Sequence, residues 1–184
     1  LSEKNKPGKE FSMERPNAVT LKGNPLTLIG NEINVGDTAP NFSLLDTSLG
    51  PVTLDDSRGK VRLFSVAPSL DTPVCDIQTV TFNKKAAELG DDVALYSVSV
   101  DLPFAAKRFC TEKSVDKVKT LSDHRDTNFG QAYGLLIKEL RLLGRAVIVV
   151  DKDDKVVYKQ VVKEIGDQPD YEAALTALKQ ALGK

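Results

Sequence analysis

Between Val61 and Val100 the chain passes from one apolar run, VRLFSV, through a longer mixed stretch to a second apolar run, VALYSVSV. Both runs are rich in β-branched and aromatic residues and predict strands. The intervening TPVCDIQTVTFNKKAAELG predicts a helix, with Thr72 as N-cap, Pro73 at the first helical position and Gly90 just past the end. Cys75, Thr79, Phe82, Ala86 and Leu89 recur at helical spacing and mark its core-facing stripe. A strand–helix–strand unit needs a sheet with helices layered on it, which makes this stretch the strongest constraint on the fold.

The rest of the chain extends the same pattern. LPFAAKRFC, after Asp101, predicts a second helix, and TNFGQAYG (127–134) a short third one. AVIVV and KVVYKQVV flank the charged turn DKDDK as a hairpin, and DYEAALTALKQAL closes the chain as an amphipathic helix. The order predicts an α/β fold whose central mixed β-sheet is flanked by helices. Upstream, VTLKGNPLTL alternates around a Gly-Asn-Pro turn and predicts an N-terminal β-hairpin, with NFSLLD a further short strand. Residues 1–17, polar and interrupted by Pro7 and Pro16, read as a flexible extension, and residues 18–184 as one domain.

Composition narrows the function classes. Lys and Arg total 25 against 26 for Asp and Glu, a formal net charge of -1 over 184 residues. No basic surplus exists for a phosphate backbone or an anionic bilayer, so neither nucleic acid nor membrane is an expected partner. Two cysteines and one histidine cannot build a four-ligand zinc site, and no other metal or cofactor is implied. No apolar run nears the ~20 residues of a membrane helix. The opening residues lack the apolar centre of a signal peptide. A cytoplasmic location is the expectation, with export left open because the chain starts at Leu1.

Cys75 occupies about the third residue of its predicted helix, where unpaired N–H groups and the positive dipole end favour an anion. An ordinary thiol is only a few per cent ionised at neutral pH. Moving a titration by two units takes about 2.7 kcal/mol, whereas a helix start supplies roughly 0.3–1 kcal/mol, up to ~2 when partly buried. A reactive Cys75 would therefore need a nearby cation as well. Spacing alone leaves two readings open, an inert buried thiol or a reactive thiolate. Thr72 has a hydroxyl on the same helix opening. Cys110 is too distant in sequence for a C-x-x-C pair and reads either as core, beside Phe104 and Phe109, or as a partner thiol. His124, in SDHRD, reads as a surface or hydrogen-bonding residue. Arg145, just before AVIVV, reads as a solvated strand end unless a thiolate lies opposite.

The stretch PSLDTPVC resembles the peroxiredoxins, whose P-x-x-x-T-x-x-C pattern is matched by Pro68, Thr72 and Cys75. DLPFAAKRFC, TLSDHRDTNFGQAYG, IKELRLLGRAVIVVD and LKGNPLTLIGNEINVGDTAPNF are similar to the atypical two-cysteine branch of that family, the bacterial thiol peroxidases, and the likeness runs from about Val19 to the C-terminus. The resemblance implies a thioredoxin-like fold with an N-terminal hairpin, usually as a homodimer. It implies a hydroperoxide substrate, Cys75 as peroxidatic and Cys110 as resolving cysteine of the same subunit, and thioredoxin as reductant. It also implies that Thr72 hydrogen-bonds thiolate and peroxide, that Pro68 shields the site from water, and that Arg145 is the cation beside the sulfur.

Overall fold

The computed structural model describes residues 13–86 and 89–183. It opens on a hairpin of β1 (Glu14–Leu21) and β2 (Asn24–Ile29), which turns at Lys22 and Gly23 with φ of 51° and 79°. Positive φ at both positions matches a two-residue turn to the twist of the strands, and glycine accepts it freely. The turn comes earlier than the Gly-Asn-Pro reading placed it: Asn24 and Pro25 already belong to β2, opposite Leu21 and Thr20. β1 also reaches back into the segment expected to be a flexible extension. Glu14 pairs with Ile29 and Arg15 with Leu28 before the register shifts between Arg15 and Val19. That irregularity absorbs Pro16, which has no N–H for the ladder, and Asn17 at φ 57°. Residues 1–12 of the predicted extension lie outside the described residues.

Two short strands follow, β3 (Ser43–Leu45) and β4 (Pro51–Thr53), then β5 (Val61–Val66), α1 (Pro73–Ala86), β6 (Val93–Ser99) and α2 (Pro103–Lys113). The chain continues through β7 (Lys119–Ser122), α3 (Asn128–Ala132), β8 (Leu136–Ile137), β9 (Ala146–Val150), β10 (Val156–Val161) and α4 (Tyr171–Ala181). Seven strands form one sheet in the order β10-β9-β5-β6-β7-β3-β4. β5, β6 and β7 run parallel and the others antiparallel, which is the expected mixed sheet. β8 joins the hairpin in a separate three-stranded sheet.

β5 and β9 are neighbouring interior strands of this sheet and are buried along their whole lengths. Their alternate residues feed two cores, as a strand covered on both faces must. Phe64, Val66, Ile148 and Val150 pack with Phe42, Phe129 and Tyr133 on one face. Val61, Leu63, Val147 and Val149 pack with residues of α1, α2 and α4, including Phe82, Phe109 and Leu175, on the other. Ser65 shares this second face, a polar residue directed at α1 and met there by Gln78.

The inward stripe of α1 holds Cys75, Thr79 and Phe82, and Leu89 beyond it is buried too. The side chain of Ala86 lies outside the described residues. In α2 the buried positions are Pro103, Ala106 and Phe109. Phe104 is 66% exposed, contrary to the expectation that it shares the apolar side with Phe109. It lies one residue past Pro103, about a quarter turn off the inward stripe.

α3 is held by Asp123, whose carboxylate accepts from Phe129 N at 3.2 Å and Gly130 N at 2.8 Å. Burial pushes this carboxyl up to about 6, against the opposing pull of those N–H groups. A carboxyl raised in the folded state stabilises the fold while protonated, and that contribution is lost as pH rises through its folded value. Relative to Asp123→Asn, the parent should lose about 2–3 kcal/mol of unfolding free energy between pH 4 and pH 7. Denaturant melts of both proteins at the two pH values measure this; a pH-independent difference would contradict it.

Candidate active site

β5 ends at Val66, where it pairs with Ala146 of the antiparallel β9. The exit of β5 and the entrance to β9 are therefore adjacent, although far apart in sequence. Pro68 is buried in the loop leaving β5. The loop is pinned by Asp101 at the end of β6, whose carboxylate accepts from Ser69 Oγ at 2.8 Å, Leu70 N at 2.7 Å and Ser99 Oγ at 2.8 Å. Thr72 then caps α1. Its carbonyl accepts from Asp76 N at 3.0 Å and its hydroxyl from Cys75 N at 3.4 Å. The second bond pairs an N–H that a helix start otherwise leaves free.

Cys75 is fully buried, yet its sulfur is not in hydrocarbon. Thr72 Oγ1 donates to it at 2.7 Å and Arg145 Nη2 at 3.2 Å. Arg145 is 1% exposed, so it is not the solvated strand end that its sequence position suggested. Its guanidinium is held on every side: Nε donates to Ile165 O at 2.9 Å and Nη1 to Gln78 Oε1 at 2.6 Å. Gln78 Nε2 donates in turn to Ser65 Oγ at 2.7 Å and Val66 O at 3.3 Å. Gln78 lies one turn beyond Cys75 on α1, and sequence reasoning passed over it. The only available signal was a long polar side chain bordering the predicted core stripe.

The electrostatics of this arrangement are unusual in one respect. Among the described residues no carboxylate forms an ion pair with Arg145, whose partners are a carbonyl, an amide and the sulfur. A buried cation without a counter-charge is costly, and a thiolate at Cys75 would supply one. The sulfur is thus met by two hydrogen-bond donors, one of them a buried cation.

Thr72, Cys75 and Arg145 converge, and Pro68 lies in the loop that leads from β5 to Thr72 and Cys75. Cys110 does not join them. It sits in the last turn of α2, half-buried, with its sulfur 3.3 Å from Thr120 Oγ1 on β7. Both cysteines are free thiols. Between the first turn of α1 and α2 runs a groove of about 310 Å³ lined in part by Leu70, Thr72, Pro73 and Phe109. Asp76 and Lys113 also line it and form a 2.6 Å ion pair. His124 Nδ1 lies 2.8 Å from Ser122 Oγ, the hydrogen-bonding role expected of it. Among the described residues no cluster of His, Cys, Asp and Glu is placed to hold a metal ion, and no helix is long and apolar enough to cross a membrane.

Comparison with known proteins adds a second line of evidence. The redoxin family profile matches residues 34–175. A thiol peroxidase of Halalkalibacterium halodurans is 59% identical over 90% of this chain and 99% of its own length. The chain belongs to the thiol peroxidase family of redoxins. A thiol peroxidase of Bacillus subtilis is 53% identical over 88% of this chain and 96% of its own. Among solved structures, a peroxiredoxin-like protein from Aquifex aeolicus superposes with a TM-score of 0.84 at 39% identity, covering 90% of this chain and 97% of that one. The thioredoxin-like fold with an N-terminal hairpin is therefore as expected, and this family member is a thiol-dependent peroxidase.

Gln78 offers a direct check on the geometry. Gln78→Leu leaves a guanidinium N–H and Ser65 Oγ without their buried partner, a loss of about 1–3 kcal/mol of stability. It should also slow alkylation of Cys75 near neutral pH by several fold, roughly one displaced hydrogen bond in energy. Denaturant melts and mass-spectrometric alkylation kinetics read the two effects. Unchanged alkylation in a folded variant would show that Arg145 holds its place without Gln78.

Proposed function

We propose that Cys75 is the nucleophile of the peroxidase reaction and Cys110 the thiol that resolves it. The observation that carries this reading is the Cys75 sulfur between the Thr72 hydroxyl and the Arg145 guanidinium, at 2.7 and 3.2 Å. The thiolate attacks the terminal oxygen of a hydroperoxide. A sulfur–oxygen bond forms, the O–O bond breaks, and the departing alkoxide or hydroxide takes up a proton and leaves as alcohol or water. Cys75 is oxidised to a sulfenic acid. Thr72, Arg145 and the N–H groups of the helix start orient both oxygens and meet the charge developing on the leaving one. Pro68, buried in the loop between β5 and α1, keeps bulk water from the sulfur.

Cys110 then attacks the sulfenic sulfur, a disulfide forms and water leaves. Two electrons from thioredoxin return both cysteines to thiols. The substrate class is hydrogen peroxide and organic hydroperoxides. The transient character of such a bridge suits the reducing cytoplasm, and residues 18–184 act as one catalytic unit. A homodimer is supported by Leu102 and Phe104, 54% and 66% exposed next to the loop pin at Asp101, which offer apolar surface to a second copy.

Bridging requires Cα atoms about 4.4–6.8 Å apart. In the reduced structure each sulfur is engaged elsewhere, Cys75 with Thr72 and Arg145, Cys110 with Thr120. The first turn of α1, the last turn of α2, or both must therefore unwind. Hydrogen exchange should rise around Cys75, Cys110 or both in the oxidised protein, and identical exchange in both segments would contradict the scheme.

Two substitutions separate the steps. Cys75→Ser should abolish peroxide consumption in an assay coupled to thioredoxin. Cys110→Ser should allow a single turnover, leave a sulfenic acid that a dimedone-type probe traps, and lose cycling. Mass spectrometry of the parent after one equivalent of peroxide should show a Cys75–Cys110 bridge. Equal, mild effects of both substitutions would overturn the assignment.

A further inference from the structure

Arg145 is held partly by a loop, and that loop is held by the N-terminal hairpin. The guanidinium Nε donates to the carbonyl of Ile165, at 2.9 Å. Ile165 has no secondary structure of its own to fix that carbonyl. Upstream, Val162 N donates to Arg145 O at 2.9 Å, and from Lys163 onward the position of the loop comes from β1. Thr20 N donates to Lys163 O at 2.7 Å and Ile165 N to Thr20 O at 2.9 Å, so residues 163–165 run beside β1 as a fragment of parallel strand. The Ile165 side chain is buried among Val19, Leu26, Leu28 and Ile137 of the hairpin sheet.

The side chain between these two anchors does something more specific. Glu164 turns its carboxylate onto the β1–β2 turn and accepts from Thr20 Oγ1 at 2.9 Å, Lys22 N at 3.0 Å and Gly23 N at 3.0 Å. Gly166 N adds a longer contact at 3.3 Å. Successive N–H groups of a positive-φ turn converging on one carboxylate make an anion nest, and such charge-assisted bonds are the strong ones. These donors, Gly23 N first, hold the Glu164 carboxyl down at about 2, so the clamp stays ionised at any working pH. A chain of direct contacts results: hairpin turn, Glu164, the adjoining Ile165 carbonyl, Arg145, Cys75 sulfur.

We propose that Glu164 is a positioning residue for the reaction, acting through the Ile165 carbonyl to aim the Arg145 guanidinium at the Cys75 sulfur. The hairpin is then part of the machinery that makes the thiol reactive. The inference builds on the role given above to Arg145. Its test reads thiol alkylation and needs neither peroxide nor reductant, so its failure is distinct from failure of the peroxidase scheme.

Glu164→Ala should slow iodoacetamide alkylation of Cys75 at about pH 6 by roughly three- to tenfold, the size of one misplaced hydrogen bond. Cys110 alkylation should be unchanged, and Glu164→Gln, which keeps the reach and one acceptor oxygen but sets an NH2 against the donors of the other, should restore only part of the rate. In an Arg145→Gln background the Glu164→Ala change should have no further effect on Cys75, because the path runs through the guanidinium. A folded Glu164→Ala protein with the parent's Cys75 rate would overturn the proposal. So would a slowing that persists undiminished in the Arg145→Gln background, since a purely structural role does not depend on Arg145. Should Glu164→Ala fail to fold, Thr20→Val removes one donor of the clamp, and a smaller slowing at Cys75 is then expected; no slowing overturns the proposal.

Discussion

The contact between the Arg145 guanidinium and the Cys75 sulfur is the interaction around which the rest of the molecule is arranged. A guanidinium keeps its proton at any pH of interest, so the fold must bury a permanent charge. The carbonyl of Ile165 and the amide oxygen of Gln78 solvate two sides of it, but neither can bear a formal negative charge. The third side faces the sulfur. A helix start alone stabilises an anion by roughly 0.3–1 kcal/mol, or ~2 when partly buried, which is too little to ionise an ordinary thiol fully. In the proposed reaction a fixed cation in direct contact adds to that stabilisation. On the proposed role of Cys75, stability and reactivity are coupled: the charge that is expensive to bury is the charge that favours a nucleophilic sulfur.

The scaffold brings these groups together by strand order rather than by local sequence. Because β5 and β9 are antiparallel neighbours, with Val66 opposite Ala146, the loop that leads to Cys75 and the residue that precedes β9 emerge at the same edge of the sheet. Burial of both strands on two faces makes that register rigid, since a slip by one residue would turn every apolar side chain to the wrong core. It also explains the polar Ser65 inside an apolar strand. Ser65 forms the floor under Gln78, and Gln78 braces the guanidinium.

What was legible in the sequence follows this division between local and tertiary causes. The cap at Thr72, Pro73 at the helix start and the strand over Val61–Val66 are local, and the residues that specify them are contiguous. Spacing alone made Arg145 a solvated strand end, because its partner lies 70 positions away and only the sheet register brings it near. The likeness to peroxiredoxins pointed to Arg145, but it gave no hint of Gln78 or Glu164, whose neighbours come from other elements. β7 passed unnoticed because four residues, two of them Lys and Ser, present too little apolar alternation to register. The start of β1 was obscured by Pro16, which reads as a strand breaker until a register shift is seen to accommodate it.

The bonds proposed to make Cys75 reactive also engage its sulfur away from Cys110, and the proposed chemistry resolves that conflict by changing the charge. Before reaction, the thiolate is the counter-ion of Arg145, and unwinding the first turn of α1 would separate a buried pair, an expensive step in a low-dielectric interior. Attack on the peroxide turns that thiolate into a sulfenic acid, and where the proton stays on the new oxygen the electrostatic part of the hold is gone. What then resists unwinding is weaker: the Thr72 cap, and beyond it the half-exposed pair of Asp76 with Lys113. Exposed pairs of that kind contribute only about 0–1 kcal/mol. In this scheme the first turn is held tightly while the sulfur is charged and released once it is oxidised, so that the order of the two proposed steps follows from electrostatics and needs no separate switch.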